Sequence, residues 1–147
     1  VERAGADRVT GGSITAVYTV LADGGDTEDP VVDAARAIVD GHIILSRQLA
    51  EQGVYPAIDL TKSLSRTMVD VTDDEHLAAA RRFRQLWCSY EENRDLLLMG
   101  AYAPGNDAIL DEAIARREDL LSYMRQHTTD CVTLADARRR LIEGFGQ

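Results

Sequence analysis

The pattern of hydrophobic and polar positions changes character about halfway along the chain. Residues 13–21, SITAVYTVL, are dense in β-branched side chains and carry no charge. An apolar run of this length is typical of a strand buried on both faces, as in a parallel sheet. The glycines and acids of residues 22–30, ADGGDTEDP, then interrupt the run. We therefore predict a buried strand over 13–21.

The next segment predicts a helix and a second strand. Asp29 is a candidate N-cap, Pro30 is a candidate first helical residue, and Gly41 is placed to end the helix. The apolar run 42–46, HIILS, predicts a second strand, and residues 47–52 predict a short helix. Strand, helix and strand together indicate a βαβ unit with a right-handed crossover.

From residue 72 onward the pattern is wholly helical. Thr72 and Glu75, in TDDE, have the spacing of a capping box at the start of a helix that extends to Met99. A second helix is predicted over 107–126, and TLAD at 133–136 is the N-terminal signal of a third. The residues expected on the buried faces are Leu77, Ala80, Phe83, Trp87, Tyr90, Leu110, Ala113, Ile114, Leu121, Met124, Leu134, Ala137, Leu141 and Ile142.

The predicted fold class is α/β, with a partial parallel-sheet βαβ segment in residues 1–71 and an all-α domain in residues 72–147. Two strands do not make a stable parallel sheet by themselves. This incomplete sheet, together with a first residue that is Val1 and not methionine, leads us to expect a piece of a longer protein.

Composition narrows the function classes. With 45% hydrophobic and 28% charged residues, the chain has the composition of a soluble globular protein. The formal net charge of −9 argues against a nucleic-acid-binding domain. Cys88 and Cys131 have no CxxC or Cys/His ligand spacing, so no metal site is predicted. No apolar run approaches the ~18 residues of a membrane span.

Catalytic motifs are few. The chain contains no GxxxxGK[ST] phosphate-binding loop, and HExxH and GxSxG are also absent. The three histidines are scattered, and the arginines of the cluster RRFR, residues 81–84, are expected on a solvated helix face.

The segment 55–66, YPAIDLTKSLSR, holds the strongest candidates. Pro56 disfavours a helical conformation at Tyr55, whose ring is a flat platform for another aromatic ring. Arg66 carries a planar, always charged fork that suits phosphate oxygens. On the residues alone, the favoured interpretation is a core tyrosine and a solvated or salt-bridged arginine.

Three longer stretches resemble the C-terminal part of the rotary-type ATPases related to the β subunit of ATP synthase. They are GGSITAVYTVLADGGDTEDP, AIVDGHIILSRQLAEQGVYPAIDLTKSLSR and ENRDLLLMGAYAPGNDAILDEAI. Within that family, VERAG, DGHIILSR and NRDLLLMGAYAPGND are most similar to the flagellar type III protein export ATPases. The resemblance implies that residues 1–71 belong to a RecA-like nucleotide-binding domain without its Walker A and Walker B motifs, and that 72–147 form a helical C-terminal domain.

The resemblance also implies roles for individual residues. Tyr55 would pack against the adenine of the nucleotide bound to its own subunit. Arg66 would be an arginine finger that reaches the site of the neighbouring subunit, a contribution of about 10³ to 10⁵ in rate. The acidic residues Asp26, Glu28 and Asp29 would face a central stalk, although a solvated acidic turn explains them equally well.

For the whole protein, the resemblance implies an ATPase that uses ATP and Mg²⁺ in a ring hexamer to energise flagellar protein export. Implied partners are a stalk-like coiled-coil export protein, a regulator of the export apparatus, and export chaperones or substrates. The implied location is cytoplasmic and peripheral at the inner membrane. This chain alone is predicted to be inactive because it lacks the phosphate-binding loop. Two alternatives remain: a virulence type III secretion ATPase, or an isolated helical adaptor that only binds partners.

Overall fold

The structure, a computed structural model, describes residues 11–21 and 30–146. The chain divides into two units between His42 and Ile43. The first unit contains the helix α1, Pro30–Ile38, and the short strand β1, Gly41–His42. Helix α1 confirms the predicted helix, whose proposed N-cap Asp29 lies outside the described residues.

The buried strand predicted over 13–21 is wrong for the described structure. Residues 14–21 form no strand, and their apolar side chains are exposed, with Val17 at 91% and Leu21 at 96% exposure. An inner strand takes its hydrogen bonds from neighbours on both sides, so a β-branched composition does not maintain it without them. The predicted parallel βαβ segment is therefore not shown by the described residues.

The second unit is mostly helical, which confirms the predicted all-α character of the C-terminal part. Its elements are α2 (Arg47–Glu51), β2 (Leu64–Ser65), α3 (Met68–Val71), α4 (Asp74–Glu92), α5 (Arg94–Leu98), α6 (Ala108–Ala115), α7 (Arg117–Met124) and α8 (Leu134–Phe145). The predicted strand over 42–46 is reduced to β1 and a single antiparallel bridge between Leu45 and Ile58. None of the helices within 30–146 is long and apolar enough to cross a membrane.

The core of this unit forms where α4 packs against α6 and α8. Phe83, Tyr123 and Phe145 bring three rings together, with Phe83 at 5.0 Å from Tyr123 and 4.8 Å from Phe145 between ring centroids. The side chains with the largest fully buried volumes are those of Leu86, Leu110, Leu120 and Val54. Because α4 contacts helices on two sides, its buried stripe is wider than predicted and includes Ala79 and Leu86, which the periodic pattern missed.

Two helix boundaries differ from the prediction because a neighbouring polar residue makes the hydrogen bond at the boundary. Asp73, and not Thr72, caps α4: its carboxylate accepts a hydrogen bond from the His76 N–H at 2.9 Å. The Thr72 hydroxyl instead donates to the Met68 carbonyl at 2.6 Å and closes α3. The helix predicted to reach Met99 is interrupted at Asn93, whose side-chain amide donates to the carbonyl of Ser89.

The second predicted helix, 107–126, is also divided in two. Arg116 lies between the end of α6 and the start of α7. Its guanidinium lies 4.3 Å from the centre of the Phe145 ring and donates to the Gly144 carbonyl at 2.5 Å. Ile114, predicted to be buried, is 37% exposed. Thr133 caps α8 as predicted, but Leu134 is 81% exposed.

Candidate functional site

Tyr55 lies in a loop that begins immediately after α2. Gly53 makes the turn with a φ of +72°, a backbone conformation that would be strained in a residue with a side chain. Val54 is 1% exposed and fixes the loop to the core, and its N–H donates to the Leu49 carbonyl at 2.9 Å. The Tyr55–Pro56 peptide bond is cis.

The main chain around Tyr55 is held from both sides while its ring faces outward. The N–H of Gln126, just after α7, donates to the Tyr55 carbonyl at 2.8 Å. On the other side, the N–H of Ser46 donates to the Ala57 carbonyl at 2.7 Å. The Tyr55 side chain is 56% exposed, so Tyr55 is not a core tyrosine. A fixed backbone with an exposed ring is what an aromatic stacking platform requires.

The turn that precedes Arg66 is closed by Asp59. One Asp59 carboxylate oxygen accepts from the Thr61 hydroxyl at 2.6 Å and from the N–H groups of Thr61 and Lys62 at 3.0 and 3.2 Å. The buried Ser63 hydroxyl donates to the Asp59 carbonyl at 2.6 Å and accepts from the Ile44 N–H at 2.9 Å. These bonds make 59–63 a compact turn joined to the chain at Ile44.

Arg66 follows this turn after the two residues of β2. It is exposed, in a bend between β2 and α3. An arginine that acts on another molecule needs this kind of surface position. Tyr55 and Arg66 therefore lie at the two ends of one braced segment of the second unit, whereas Asp26, Glu28 and Asp29 lie outside the described residues.

The contact between Arg84 and this turn was not predicted from the sequence. Its guanidinium donates to the Ser63 carbonyl at 2.9 Å and to the Thr61 carbonyl at 3.2 Å. The neighbouring Arg82 pairs with Glu112 of α6. The predicted solvated face therefore has two arginines with defined contacts. No linear signal points to them, because the partners lie 21 to 30 residues away in the chain.

Cys88 follows Arg84 by one helical turn. Burial raises the pKa of the Cys88 thiol, and the positive charge of Arg84 opposes that shift. The thiol is therefore neutral at pH 7.

A small cavity lies beside Arg94, Glu91 and Trp87. Its volume is about 10 Å³, which is room for no more than about one water molecule. Burial raises the pKa of the Glu91 carboxyl, while Arg94 lowers it. Among residues 11–21 and 30–146, no group of three His, Cys, Asp or Glu side chains is placed to hold a metal ion.

Comparison with known proteins divides the chain between two family models. Residues 1–65 match the nucleotide-binding domain of the ATP synthase alpha/beta family. Residues 72–143 match the C-terminal domain of the type III secretion ATPase EscN. The braced segment lies at the junction of the two, with Tyr55 in the first match and Arg66 directly after it.

Curated relatives match nearly the whole chain. The flagellum-specific ATP synthase of Pseudomonas aeruginosa is 52% identical over 141 residues, which are 96% of this chain and 31% of the relative. That of Salmonella typhimurium is 53% identical over 126 residues, 86% of this chain and 28% of the relative. The type 3 secretion system ATPase of Pseudomonas syringae pv. syringae is 43% identical over 143 residues, 97% of this chain and 31% of the relative. The chain thus spans about a third of the length of these relatives.

Solved structures agree with these relatives. The assembled ATPase EscN from the type III secretion system of enteropathogenic E. coli superposes with a TM-score of 0.84 at 39% identity, over 90% of this chain and 32% of that one. EscN in complex with its central stalk EscO gives 0.83 at 38% identity, over 96% of this chain and 33% of that one. The chain belongs to the family of flagellar and type III secretion export ATPases.

Proposed function

We propose that this chain is the part of a flagellar type III export ATPase that completes the nucleotide sites and binds partners. The whole protein would hydrolyse ATP, with Mg²⁺, to energise the export of flagellar subunits. The observation that carries this proposal is the 52% identity to a flagellum-specific ATP synthase across 96% of the chain. The two relatives above 50% identity are both flagellar, and they favour the flagellar branch. Three further flagellar relatives, at 41% to 44% identity, overlap three type 3 secretion ATPases at 43% to 45%.

Within this function, residues 1–71 would belong to the nucleotide-binding domain and residues 72–147 to the helical domain. Tyr55 would pack against adenine in its own subunit, supported by its exposed ring on a fixed main chain. Arg66 would act on the nucleotide of the neighbouring subunit, supported by its exposed position after a braced turn. A stacking contact favours nucleotide binding, whereas a cation on the transferred phosphoryl group favours the transition state.

The partners follow from the same family. We propose a ring hexamer whose central stalk meets the acidic residues Asp26, Glu28 and Asp29, with the helical domain presented to the export regulator and to chaperones or substrates. EscN, a relative of known structure, is described as assembled and in complex with its central stalk. The whole protein would work in the cytoplasm, peripherally at the inner membrane.

A chimera tests the proposed activity. This chain would replace the matching third of the Pseudomonas aeruginosa flagellum-specific ATP synthase, and Mg²⁺-dependent ATP hydrolysis would be measured. We expect hydrolysis comparable to that of the parent relative and restored motility in a strain that lacks the relative. The 147-residue chain alone is the control and should show no hydrolysis, because it contains no phosphate-binding loop. A chimera that assembles and binds ATP but does not hydrolyse it would contradict the proposal.

Replacing Tyr55 tests the adenine contact in the same chimera. Tyr55→Ala should raise KM a few-fold to tens-fold and leave kcat nearly unchanged, because stacking is present in both the ground state and the transition state. Tyr55→Phe is the matched control and should be close to the parent, since it keeps the ring. Steady-state kinetics over a range of ATP concentrations give both parameters. An unchanged KM in Tyr55→Ala would remove Tyr55 from the nucleotide site.

A further inference from the structure

We propose that Arg84 is a positioning residue that sets the approach of Arg66 to the nucleotide by holding the carbonyls of Thr61 and Ser63. This inference rests on the proposed role of Arg66. Arg84 itself lies on α4, and its contacts are with the main chain of the turn and not with the reacting groups.

The base of this contact is rigid. α4 is the longest helix of the second unit, and Phe83 and Leu86, the neighbours of Arg84 along the helix, are 5% and 0% exposed. A helix held by buried side chains on one face offers its other face as a fixed support. Arg84 projects from this support toward the turn, 21 residues away from Ser63 in the chain.

The guanidinium also suits its acceptors. Nη1 donates to the Ser63 carbonyl and Nη2 donates to the Thr61 carbonyl, so one planar group binds two acceptors that are two residues apart. A fork with fixed geometry restrains the orientation of the turn as well as its position. Charged donors also make stronger hydrogen bonds than neutral ones.

The bonds inside the turn leave a role for Arg84. Local hydrogen bonds close the turn onto itself and onto Ile44. The acceptors in these bonds are the Asp59 carboxylate, the Asp59 carbonyl and the Ser63 hydroxyl. The carbonyls of Thr61 and Ser63 instead accept from Arg84. Local bonds therefore fix the shape of the turn. Leu60 packs the turn against the core, and Arg84 adds the hydrogen bonds that join its main chain to α4.

The effect would be transmitted to Arg66 through three residues of main chain. Ser63 is followed by Leu64, Ser65 and Arg66, so a shift at the Ser63 carbonyl moves the backbone from which Arg66 extends. A displacement of about 1 Å in a catalytic group can cost roughly 10²-fold in rate. We therefore expect Arg84 to control kcat, and not the affinity for ATP.

Hydrogen exchange on the 147-residue chain tests the contact without reference to activity. In Arg84→Met, amides of the 59–66 segment should exchange about three- to tenfold faster than in the parent, because the turn has lost its hydrogen bonds to α4. Arg81→Met is the matched control: Arg81 is an exposed arginine on the same helix, and its replacement should leave the segment unchanged. Equal exchange in Arg84→Met and the parent, or equal acceleration in both variants, would overturn the inference.

Kinetics of the chimeric ATPase test the consequence. Arg84→Met should lower kcat about tenfold with little change in KM, and Arg84→Lys should recover part of the loss because an ammonium group can reach one carbonyl but not reproduce the fork. In an Arg66→Ala background, Arg84→Met should have little further effect on kcat. A full tenfold further loss there would show that Arg84 acts independently of Arg66 and would overturn the inference. If Arg66→Ala alone leaves kcat intact, the proposed role of Arg66 fails, while the exchange measurement still decides the contact.

Discussion

Arg66→Ala is expected to lower kcat of the chimeric ATPase by about 10² or more, with a much smaller change in nucleotide affinity. The reason is that a cation placed on the transferred phosphoryl group interacts more strongly with the transition state than with bound ATP. Arg66→Lys should not restore activity, because a point charge does not reproduce the two parallel donors of the guanidinium. Single-turnover hydrolysis and equilibrium nucleotide binding, measured separately, give the two quantities.

A mixing experiment tests whether Arg66 acts across the subunit interface. Chimeras with Arg66→Ala would be mixed with chimeras that lack the phosphate-binding lysine in the part contributed by the relative. Mixed rings contain some interfaces with an intact phosphate-binding loop on one side and an intact Arg66 on the other, so part of the activity should return. Mixed rings that assemble but remain inactive would show that Arg66 is a structural arginine.

Leu86→Ala is expected to have the largest effect on stability. Leu86 is 0% exposed in the centre of α4, and truncating a leucine at such a position removes about 2–5 kcal/mol from the free energy of unfolding. Urea denaturation of the 147-residue chain would measure the change, with fluorescence of Trp87, the single tryptophan, as the signal.

Leu98→Ala provides the matched control for Leu86→Ala. Leu98 is 74% exposed at the end of α5, so the same truncation should change the free energy of unfolding by no more than about 0.5 kcal/mol. Losses of similar size in the two variants would show that α4 does not form the centre of the core.

The helical half could be predicted from the sequence because its signals are local. Helical periodicity identified Phe83 and Trp87 as core residues, and Thr133 was recognised as a cap from its position before an apolar run. Where two elements compete for one polar group, the local signal failed. Thr72 has the right spacing to cap α4, but its hydroxyl is used by α3, and Asp73 caps α4 instead.

The first unit and the braced turn were harder to predict because their structure depends on distant groups. Residues 13–21 have the composition of an inner strand, but a strand is defined by neighbours that this composition does not specify. Arg84 looked like one of several surface arginines, and only the fold brings it to the carbonyls of Thr61 and Ser63. The candidate residues Tyr55 and Arg66 were suggested by a family resemblance and not by periodicity.

The bond between Gln126 and Tyr55 has a consequence for how this region tolerates mutation. Both partners are main-chain groups, an N–H and a carbonyl, so the bond does not depend on the side chain at position 126. Substitution there is expected to preserve the attachment of the tyrosine loop, with the exception of proline, which has no N–H to donate. The hydrogen bond can therefore persist when the residue at position 126 changes, and no conserved residue type at that position would mark it.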